Sequence, residues 1–387
     1  MQEKEESMFT SVAETPFDER HYGAINPPIY QNSLFAFKTH QEFDLAMKDT
    51  MKNHVYSRGN NPTVEYLEKK IAMLESGDVS KCFASGMAAI SSTIMSVVNH
   101  GDHVVCVSQA YGPTREFLSE FLFRFGVSTT FVDGKSMEEL KSATRINTKL
   151  LYLESPTSLL FELQDLSACA ALAKSIGAVT IIDNTWATPC HQKPLTLGID
   201  LVVHSITKYF SGHSDCMGGV VVGSDKLVSK IIFKEYMLLG GIMTPQVATT
   251  VTRGLRTLPL RMERHEKSAL IVAEHLTKQA YVTRVNHPGL NQHPQHELAL
   301  RQMTGFSSLF SFDSDEPIEK LKQFASSLNY FRIGVSWGGY ESLISVNQID
   351  LQQTGQYRNV VRIYVGLEDP ADLIDDIDNA WRQVSLF

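Results

Sequence analysis

LVVHSITKYFSGHSD, residues 201 to 215, is the stretch that decides the fold. It opens with a short apolar run, Leu201 to His204, that does not alternate with polar residues, which is typical of a strand buried on both faces of a sheet. Lys208 follows closely, and the carboxyl edge of such a sheet is where α/β proteins bind ligands. Burial there would lower the pKa of the amine and make it a nucleophile toward an aldehyde, while Ser205 and Thr207 offer hydroxyls to a phosphate. The competing interpretation is a surface lysine after a strand.

Similar apolar runs recur on both sides of this stretch and alternate with helical patterns. The predicted strands are His103–Val107, Val127–Val132, Lys149–Leu153, Val179–Ile182, Leu201–His204 and Gly219–Val222. Between them, residues 114–125 and 166–176 have the periodicity of amphipathic helices, and Phe121 and Phe125 fall on the apolar face of the first. This alternation predicts parallel βαβ units with right-handed crossovers, and therefore an α/β fold with a mostly parallel sheet.

The pattern changes after Gly240 and Gly241. Helical stretches are predicted at residues 266–279, 318–328 and 371–384, and strands at 282–285, 309–312, 331–335 and 361–365. Strands mixed with helices without strict alternation indicate a smaller α+β domain. We therefore expect a large domain over residues 56–245 and a C-terminal domain over 246–387. Residues 1–55 fit neither and are predicted to form an arm that contacts a neighbouring subunit.

The overall composition excludes several classes of protein. A net charge of −8 and 43% hydrophobic residues in 387 fit a two-domain enzyme, and they give no reason to expect a nucleic-acid partner. The start, MQEKEESMFT, has charges where a secretory signal would be apolar, and no apolar run is long enough to span a membrane, so we expect a cytoplasmic protein. The five cysteines are odd in number and form no C-x-x-C pair, which favours reduced thiols.

Other polar residues stand at positions where they could complete a site around Lys208. Asp183 ends a predicted strand; it could hold a pyridine nitrogen protonated, or it could simply open a turn. The helix that begins after Ser85 could present backbone N–H groups to a phosphate, and Tyr56 and Arg58 form a possible phosphate clamp. Arg362 interrupts an apolar strand and needs an anion, which could be a carboxylate of the protein or of a substrate.

Three alternative chemistries lack their motifs. The S-x-x-K pattern of penicillin-binding proteins requires S-D-N and K-T-G, and neither is present. His296-Glu297 is not completed to H-E-x-x-H because residue 300 is leucine, so no metal site is expected. The sequence contains no G-x-G-x-x-G and no P-loop, so dinucleotides and nucleoside triphosphates have no phosphate-binding motif.

Taken together, these motifs resemble the Cys/Met-metabolism enzymes that depend on pyridoxal 5'-phosphate (PLP). The resemblance rests on Tyr56–Thr63, Ser85–Ala89, Ala110–Gly112, Glu154–Pro156, Asp183–Thr185, Ser205–Asp215, Arg253–Leu258, Ser336–Leu343 and Arg362–Asp369. It implies a type I PLP-dependent transferase fold, with Lys208 forming a Schiff base to the cofactor, Asp183 on the pyridine nitrogen and Tyr111 over the ring. It further implies that the phosphate is held by Gly86, Met87, Ser205 and Thr207, and by Tyr56 and Arg58 of an adjacent subunit. The substrate would be held by Arg362, Ser336, Trp337 and Tyr111, in a homotetramer built from two obligate dimers.

Within this family the residues point in two directions. Pro113, Ser158 and Trp337 resemble bacterial cystathionine β-lyase, which predicts β-elimination on cystathionine or related S-substituted cysteines to give a thiol, pyruvate and ammonia. Val335 and the Gly59–Thr63 segment resemble enzymes that act at the γ-carbon, so γ-elimination or γ-replacement is the alternative. A non-catalytic relative and an aminotransferase are the remaining hypotheses.

Overall fold

The computed structural model describes residues 6–15, 18–50, 52–350 and 357–385. Its larger sheet has the strand order β1-β7-β6-β5-β4-β2-β3. The strands of this sheet are β1 (Val79–Phe83), β2 (His103–Val107), β3 (Ser128–Val132), β4 (Thr148–Glu154), β5 (Val179–Asp183), β6 (Leu201–Ser205) and β7 (Gly219–Gly223). Strands β2 to β6 pair in parallel, so the carboxyl ends of β4, β5 and β6 lie side by side at one edge.

The six strands predicted for this half are all present, but the parallel arrangement fails at β7. This strand runs antiparallel to both β6 and β1. The reason is that residues 206–218 fold into turns at the edge where β6 ends and do not cross the sheet, so the next strand runs back. Strand β1 escaped prediction because Lys81 interrupts its apolar residues.

A second sheet of five strands, in the order β10-β11-β12-β9-β8, lies in the C-terminal part. Its strands are β8 (Arg284–Asn286), β9 (Leu309–Ser314), β10 (Arg332–Ile333), β11 (Leu343–Asp350) and β12 (Tyr357–Tyr364). The prediction missed β11, whose sequence LISVNQID turns polar halfway, and it made β10 too long. The domain boundaries themselves stay predictions.

Helices cover the sheets. They are α1 (Met8–Ala13), α2 (His40–Lys48), α3 (Pro62–Leu74), α4 (Gly86–Val97), α5 (Gly112–Glu116), α6 (Met137–Ala143), α7 (Leu166–Ile176), α8 (Thr188–His191), α9 (Asp225–Ile231), α10 (Met237–Leu239), α11 (Pro245–Leu255), α12 (Leu258–Leu276), α13 (His296–Gln302), α14 (Ile318–Ser327) and α15 (Pro370–Ser385). The predicted helix over 114–125 is α5 followed by a wide π-type turn over Phe117–Phe121 and a 3-10 turn over Leu122–Phe125. These turns change the helical phase, so Leu118 and Leu122 are buried, while Phe121 and Phe125, which were predicted to share their face, are exposed.

Two contacts connect the sheets beside Lys208. The indole N–H of Trp186, just after β5, donates to the carbonyl of Leu309 at 2.8 Å, and the Tyr209 hydroxyl lies 3.2 Å from that of Ser308. These bonds hold β9 against the carboxyl edge of the larger sheet. The architecture confirms the predicted fold class, a mostly parallel α/β sheet with a smaller α+β part. None of the helices in the described part of the chain is both long and apolar enough to span a bilayer.

Candidate active site

A cavity of about 370 Å³ lies where β4, β5 and β6 end. Its walls come from both sheets and from the start of α4. The lining residues are Ser85, Gly86, Met87, Ile90, Tyr111, Glu154, Pro156, Thr157, Ser158, Phe161, Asp183, Thr185, Trp186, Ser205, Thr207, Lys208, Met217, Leu309, Ser336 and Trp337. Nine of the twelve predicted site residues are therefore together in one cavity, and the exceptions are Tyr56, Arg58 and Arg362.

Lys208 lies one turn after β6, where its backbone N–H donates to the carbonyl of Ser205 at 3.1 Å. Its ammonium nitrogen lies 5.6 Å from the centre of the Trp337 ring. Burial lowers the pKa of Lys208, and the nearby Asp183 carboxylate offsets part of this change. A partly desolvated amine of this kind is a better nucleophile and base at neutral pH than a surface lysine.

Asp183, at the end of β5, accepts hydrogen bonds on one oxygen only. The backbone N–H and the hydroxyl of Thr185 donate to Oδ1 at 2.9 and 2.5 Å, and the Thr185 hydroxyl accepts in turn from the backbone N–H of Ser205. No donor among the described residues reaches Oδ2, so this oxygen is available to a ligand. Burial raises the pKa of Asp183, and the Thr185 bonds offset part of the rise. Sequence reasoning gave Thr185 no role, although its place two residues after Asp183 is the Asx-turn position.

The start of α4 forms the part of the cavity that suits a phosphate. Ser85 caps this helix by accepting from the N–H of Ala88 at 3.0 Å, and the N–H groups of Gly86 and Met87 are the first two of the helix, which have no intrahelical acceptor. A Cβ on Gly86 would lie 3.0 Å from the Ser205 hydroxyl, so the hydroxyl is directly beside these N–H groups. Thr207 lines the same cavity.

Tyr56 and Arg58 do not line the cavity in this chain. Tyr56 is half exposed, and the Arg58 guanidinium lies 5.6 Å from its ring on the surface. Both belong to a loop whose Gly59 carbonyl accepts a hydrogen bond from the buried Lys81 at 3.0 Å. Their side chains are thus presented outward by an anchored loop.

Arg362, on β12, is mostly buried beside the cavity wall. Its guanidinium donates to the carbonyls of Gly334 and Ser336, both at 3.3 Å. Within the described ranges no carboxylate forms an ion pair with Arg362. The sequence left open whether its anion is a protein or a substrate carboxylate, and the structure favours the substrate. Burial lowers the pKa of Arg362 but leaves it charged.

Tyr111 immediately precedes α5 at the cavity mouth. Its backbone N–H donates to Glu154 Oε2 at 2.7 Å, and its ring is about half exposed, 45%, so one face is available to a ligand. Sequence reasoning used Glu154 only as part of a motif and gave it no role. The signal that could have found it is a carboxylate at the end of an apolar strand, as for Asp183. No metal-binding group of His, Cys, Asp or Glu is found in the part of the chain that the structure describes.

A model of the Cys/Met metabolism PLP-dependent enzymes matches residues 10–382. The chain belongs to this family. The chain is similar to the cystathionine gamma-lyase of Bacillus subtilis strain 168, with 40% identity over 94% of this chain and 95% of that protein. The cystathionine beta-lyase of Lactococcus lactis subsp. cremoris strain MG1363 is 38% identical over 92% of this chain and 94% of its own length. The crystal structure of metB from Corynebacterium glutamicum superposes with a TM-score of 0.91, at 36% identity and 98% coverage of both chains.

The cofactor of the family is PLP, and the cavity fits it. A primary amine matches the aldehyde, a carboxylate oxygen that accepts from no described residue matches the ring nitrogen, and a helix N-terminus with adjacent hydroxyls matches the phosphate. The predicted cofactor and the predicted family are both confirmed.

Proposed function

We propose that this protein is a PLP-dependent carbon–sulfur lyase that acts at the β-carbon. Its substrates would be cystathionine or related S-substituted cysteines, and its products a thiol, pyruvate and ammonia. The observation that carries the proposal is a desolvated lysine amine, Lys208, in one cavity with Asp183 and beside Arg362, whose guanidinium forms no ion pair with any described residue.

Each group has a task that follows from its chemistry. Bound PLP supplies an electron sink that stabilises negative charge at the substrate Cα. Lys208 would hold the cofactor at its aldehyde group and, with the substrate bound, would remove the substrate Cα proton as general base. Oδ2 of Asp183 would hold the ring nitrogen in its protonated form, and Tyr111, at the cavity mouth, would shield the ring from water. Gly86, Met87, Ser205 and Thr207 bind the phosphate.

The substrate would be held by its carboxylate. Arg362 already donates to two backbone carbonyls, which fix the plane of the guanidinium and leave other N–H groups for a carboxylate. One of those carbonyls belongs to Ser336, whose neighbour Trp337 forms the apolar wall beside the Lys208 amine. A side chain with a thioether sulfur fits against such a wall.

We further propose that the enzyme works in the cytoplasm as a homotetramer, a dimer of obligate dimers. Tyr56 and Arg58 are exposed on an anchored loop and do not line their own cavity, which leaves them available to the phosphate site of a neighbour. Residues 1–55 would be the arm that contacts that neighbour; in this chain α1 already packs on α3, where Lys70 donates to the carbonyl of Ser11 at 2.9 Å. Tyr22, Ile25 and Leu34, which follow α1, are largely exposed apolar residues.

Reaction at the γ-carbon is the second candidate. It is favoured by Val335, whose side chain is 89% exposed next to Ser336 and Trp337, and by the similarity to a cystathionine gamma-lyase. The same lysine would then make a second proton transfer at Cβ before the group leaves from Cγ.

The product distinguishes the two candidates. The purified PLP-loaded protein is given cystathionine, S-alkyl cysteines, methionine and O-acetylhomoserine in turn, and the released 2-oxo acid is identified. Pyruvate from the cysteine thioethers supports β-elimination, while 2-oxobutyrate or a replacement product moves the reaction to the γ-carbon. Amino transfer to an added 2-oxo acid would instead indicate an aminotransferase, and a protein that binds no PLP a non-catalytic relative.

The role of Lys208 has its own test. We expect Lys208→Ala to bind PLP without a covalent bond and to lose nearly all turnover, because the nucleophile and the base are the same amine. Borohydride should fix the cofactor to the wild-type chain and to the control Lys226→Ala, an exposed lysine, but not to Lys208→Ala. Retained turnover in Lys208→Ala would place the base elsewhere.

A further inference from the structure

Glu154 is a buried carboxyl group that the proposed reaction does not use. It ends β4 and pairs in the sheet with Asp183, so the two acids stand on neighbouring strand ends in one cavity. Burial of two acids this close is unfavourable unless each finds hydrogen-bond donors or a proton. The contacts of Glu154 therefore show what it does.

Three donors converge on Glu154, and they use both of its oxygens. Oε2 accepts from the backbone N–H of Tyr111 at 2.7 Å, and Oε1 accepts from the backbone N–H and the hydroxyl of Ser158 at 2.7 and 2.6 Å. The backbone N–H groups can only donate, so both oxygens of Glu154 serve as acceptors. Asp183 differs, because its Oδ2 receives no hydrogen bond from the described residues.

Burial also changes the acid strength of this pair. It raises the pKa of Glu154 to about 8, the neighbouring Asp183 contributes to the rise, and the hydrogen bonds from Ser158 and Tyr111 offset part of it. The three hydrogen bonds fix the position of the Glu154 carboxyl group.

We infer that Glu154 is a positioning residue whose side chain holds Tyr111 and Ser158 at the end of β4 and so fixes the ring site between them. Tyr111 is the residue that would cover the cofactor ring, and Ser158 lines the cavity after the Pro156 turn. One side chain thus connects the loop after β2 with the loop after β4. The inference rests on the proposed function only for the place of the ring.

Glu154→Gln tests the inference with almost no change in volume. An amide has one acceptor oxygen, so in one orientation its NH₂ group faces the N–H of Tyr111, and in the other it faces the N–H of Ser158. Two buried donors that face each other are unfavourable enough to lower the affinity of the site for PLP roughly tenfold to a hundredfold. The matched control is Glu139→Gln, because Glu139 accepts from the N–H of Asp133 at 3.0 Å and is not among the cavity residues.

Two properties of the ring are measured, the affinity for PLP and the visible circular dichroism of the bound cofactor, which reports how rigidly the ring is held. We expect Glu154→Gln to bind PLP at least tenfold more weakly and to lose most of the dichroism, and Glu139→Gln to match the wild type. Among substrate kinetics, kcat should fall more than KM rises. Wild-type affinity and dichroism in Glu154→Gln would overturn the inference.

A second variant, Ser158→Ala, tests the positioning role of Glu154 if Glu154→Gln does not fold. Ser158→Ala removes one donor and keeps the two backbone bonds. A weakened dichroism with an intact fold supports the inference, and an unchanged dichroism overturns it. PLP affinity and circular dichroism need no turnover, so they test the role of Glu154 separately from the reaction. A wild-type protein that binds PLP but releases no 2-oxo acid would contradict the proposed reaction and would not contradict the role of Glu154.

Discussion

Gly338 packs directly against the backbone of Lys208. We expect Gly338→Ala to displace Lys208 and lower activity, although Gly338 contacts no reacting group. Gly338 has φ of +93°, and a Cβ built there would lie 2.7 Å from both the Cα and the carbonyl carbon of Lys208. Contacts this short cannot be relieved by a side-chain rotation, because the atoms met are backbone. Lys208 and its amine would have to move.

The magnitude can be separated into two parts. Positive φ alone costs an alanine about 1–2 kcal/mol, and overpacking adds roughly 1–3 kcal/mol, so the free energy of unfolding should fall by roughly 2–5 kcal/mol. Gly101→Ala is the matched control, because Gly101 has φ of +88° but a Cβ there meets no atom within 4 Å. It should lose only the first part and keep full activity.

Urea unfolding of both variants measures these losses, and kcat/KM measures the displacement of the amine. We expect at least a tenfold loss of kcat/KM in Gly338→Ala, since misplacement by a fraction of an ångström is sufficient to disturb a proton transfer. A Gly338→Ala protein as stable as Gly101→Ala and fully active would refute the reasoning.

Two other predictions concern stability. Lys81→Met should lower the free energy of unfolding by about 3–5 kcal/mol in urea, because it leaves Glu68, 3.2 Å from the Lys81 amine, as an unpaired buried charge; Lys81→Met combined with Glu68→Gln should recover part of this loss, and no recovery would argue against the pair. Desolvation lowers the pKa of the buried His265 and His287 to about 3. As the pH falls below about 6.5, these histidines become protonated in the unfolded chain but stay neutral in the folded one. The free energy of unfolding should therefore drop by roughly 2 kcal/mol per histidine between pH 7 and pH 5. The stability gap between wild type and His287→Asn should therefore narrow over this range, and a gap of constant size would contradict the prediction.

Apolar runs were sufficient to predict the strands on which the site depends. The run Leu201 to His204 became β6, and because parallel strands end at a common edge, the positions of Lys208 and Asp183 followed from the sequence. Strands that contain a charged residue or a polar half were missed. Lys81 interrupts the apolar pattern of β1, and its burial depends on partners from other segments, Glu68 on α3 and the carbonyl of Gly59. A pairing between distant segments of this kind is not visible in local periodicity.

The contacts that organise the site were also beyond the sequence. The sequence does not indicate that Glu154 accepts a hydrogen bond from the backbone of Tyr111, because nearly every residue has a backbone N–H. Whether Arg362 meets a protein carboxylate was open for the same reason, and it required the position of β12 relative to the loop around Ser336. The residue types of the site were therefore predictable, and their hydrogen-bond partners were not.

The placement of the tryptophans gives the protein a built-in optical probe. Trp186 and Trp337 line the cavity, whereas Trp381, the third of three in the sequence, is stacked on Tyr281 with ring centroids 3.8 Å apart and does not line it. Indole emission overlaps the absorption of pyridoxal, and energy transfer between the two falls steeply with distance. PLP bound in the cavity should therefore quench the fluorescence of Trp186 and Trp337 strongly and that of Trp381 less. Binding of the cofactor can then be followed by intrinsic fluorescence without any label.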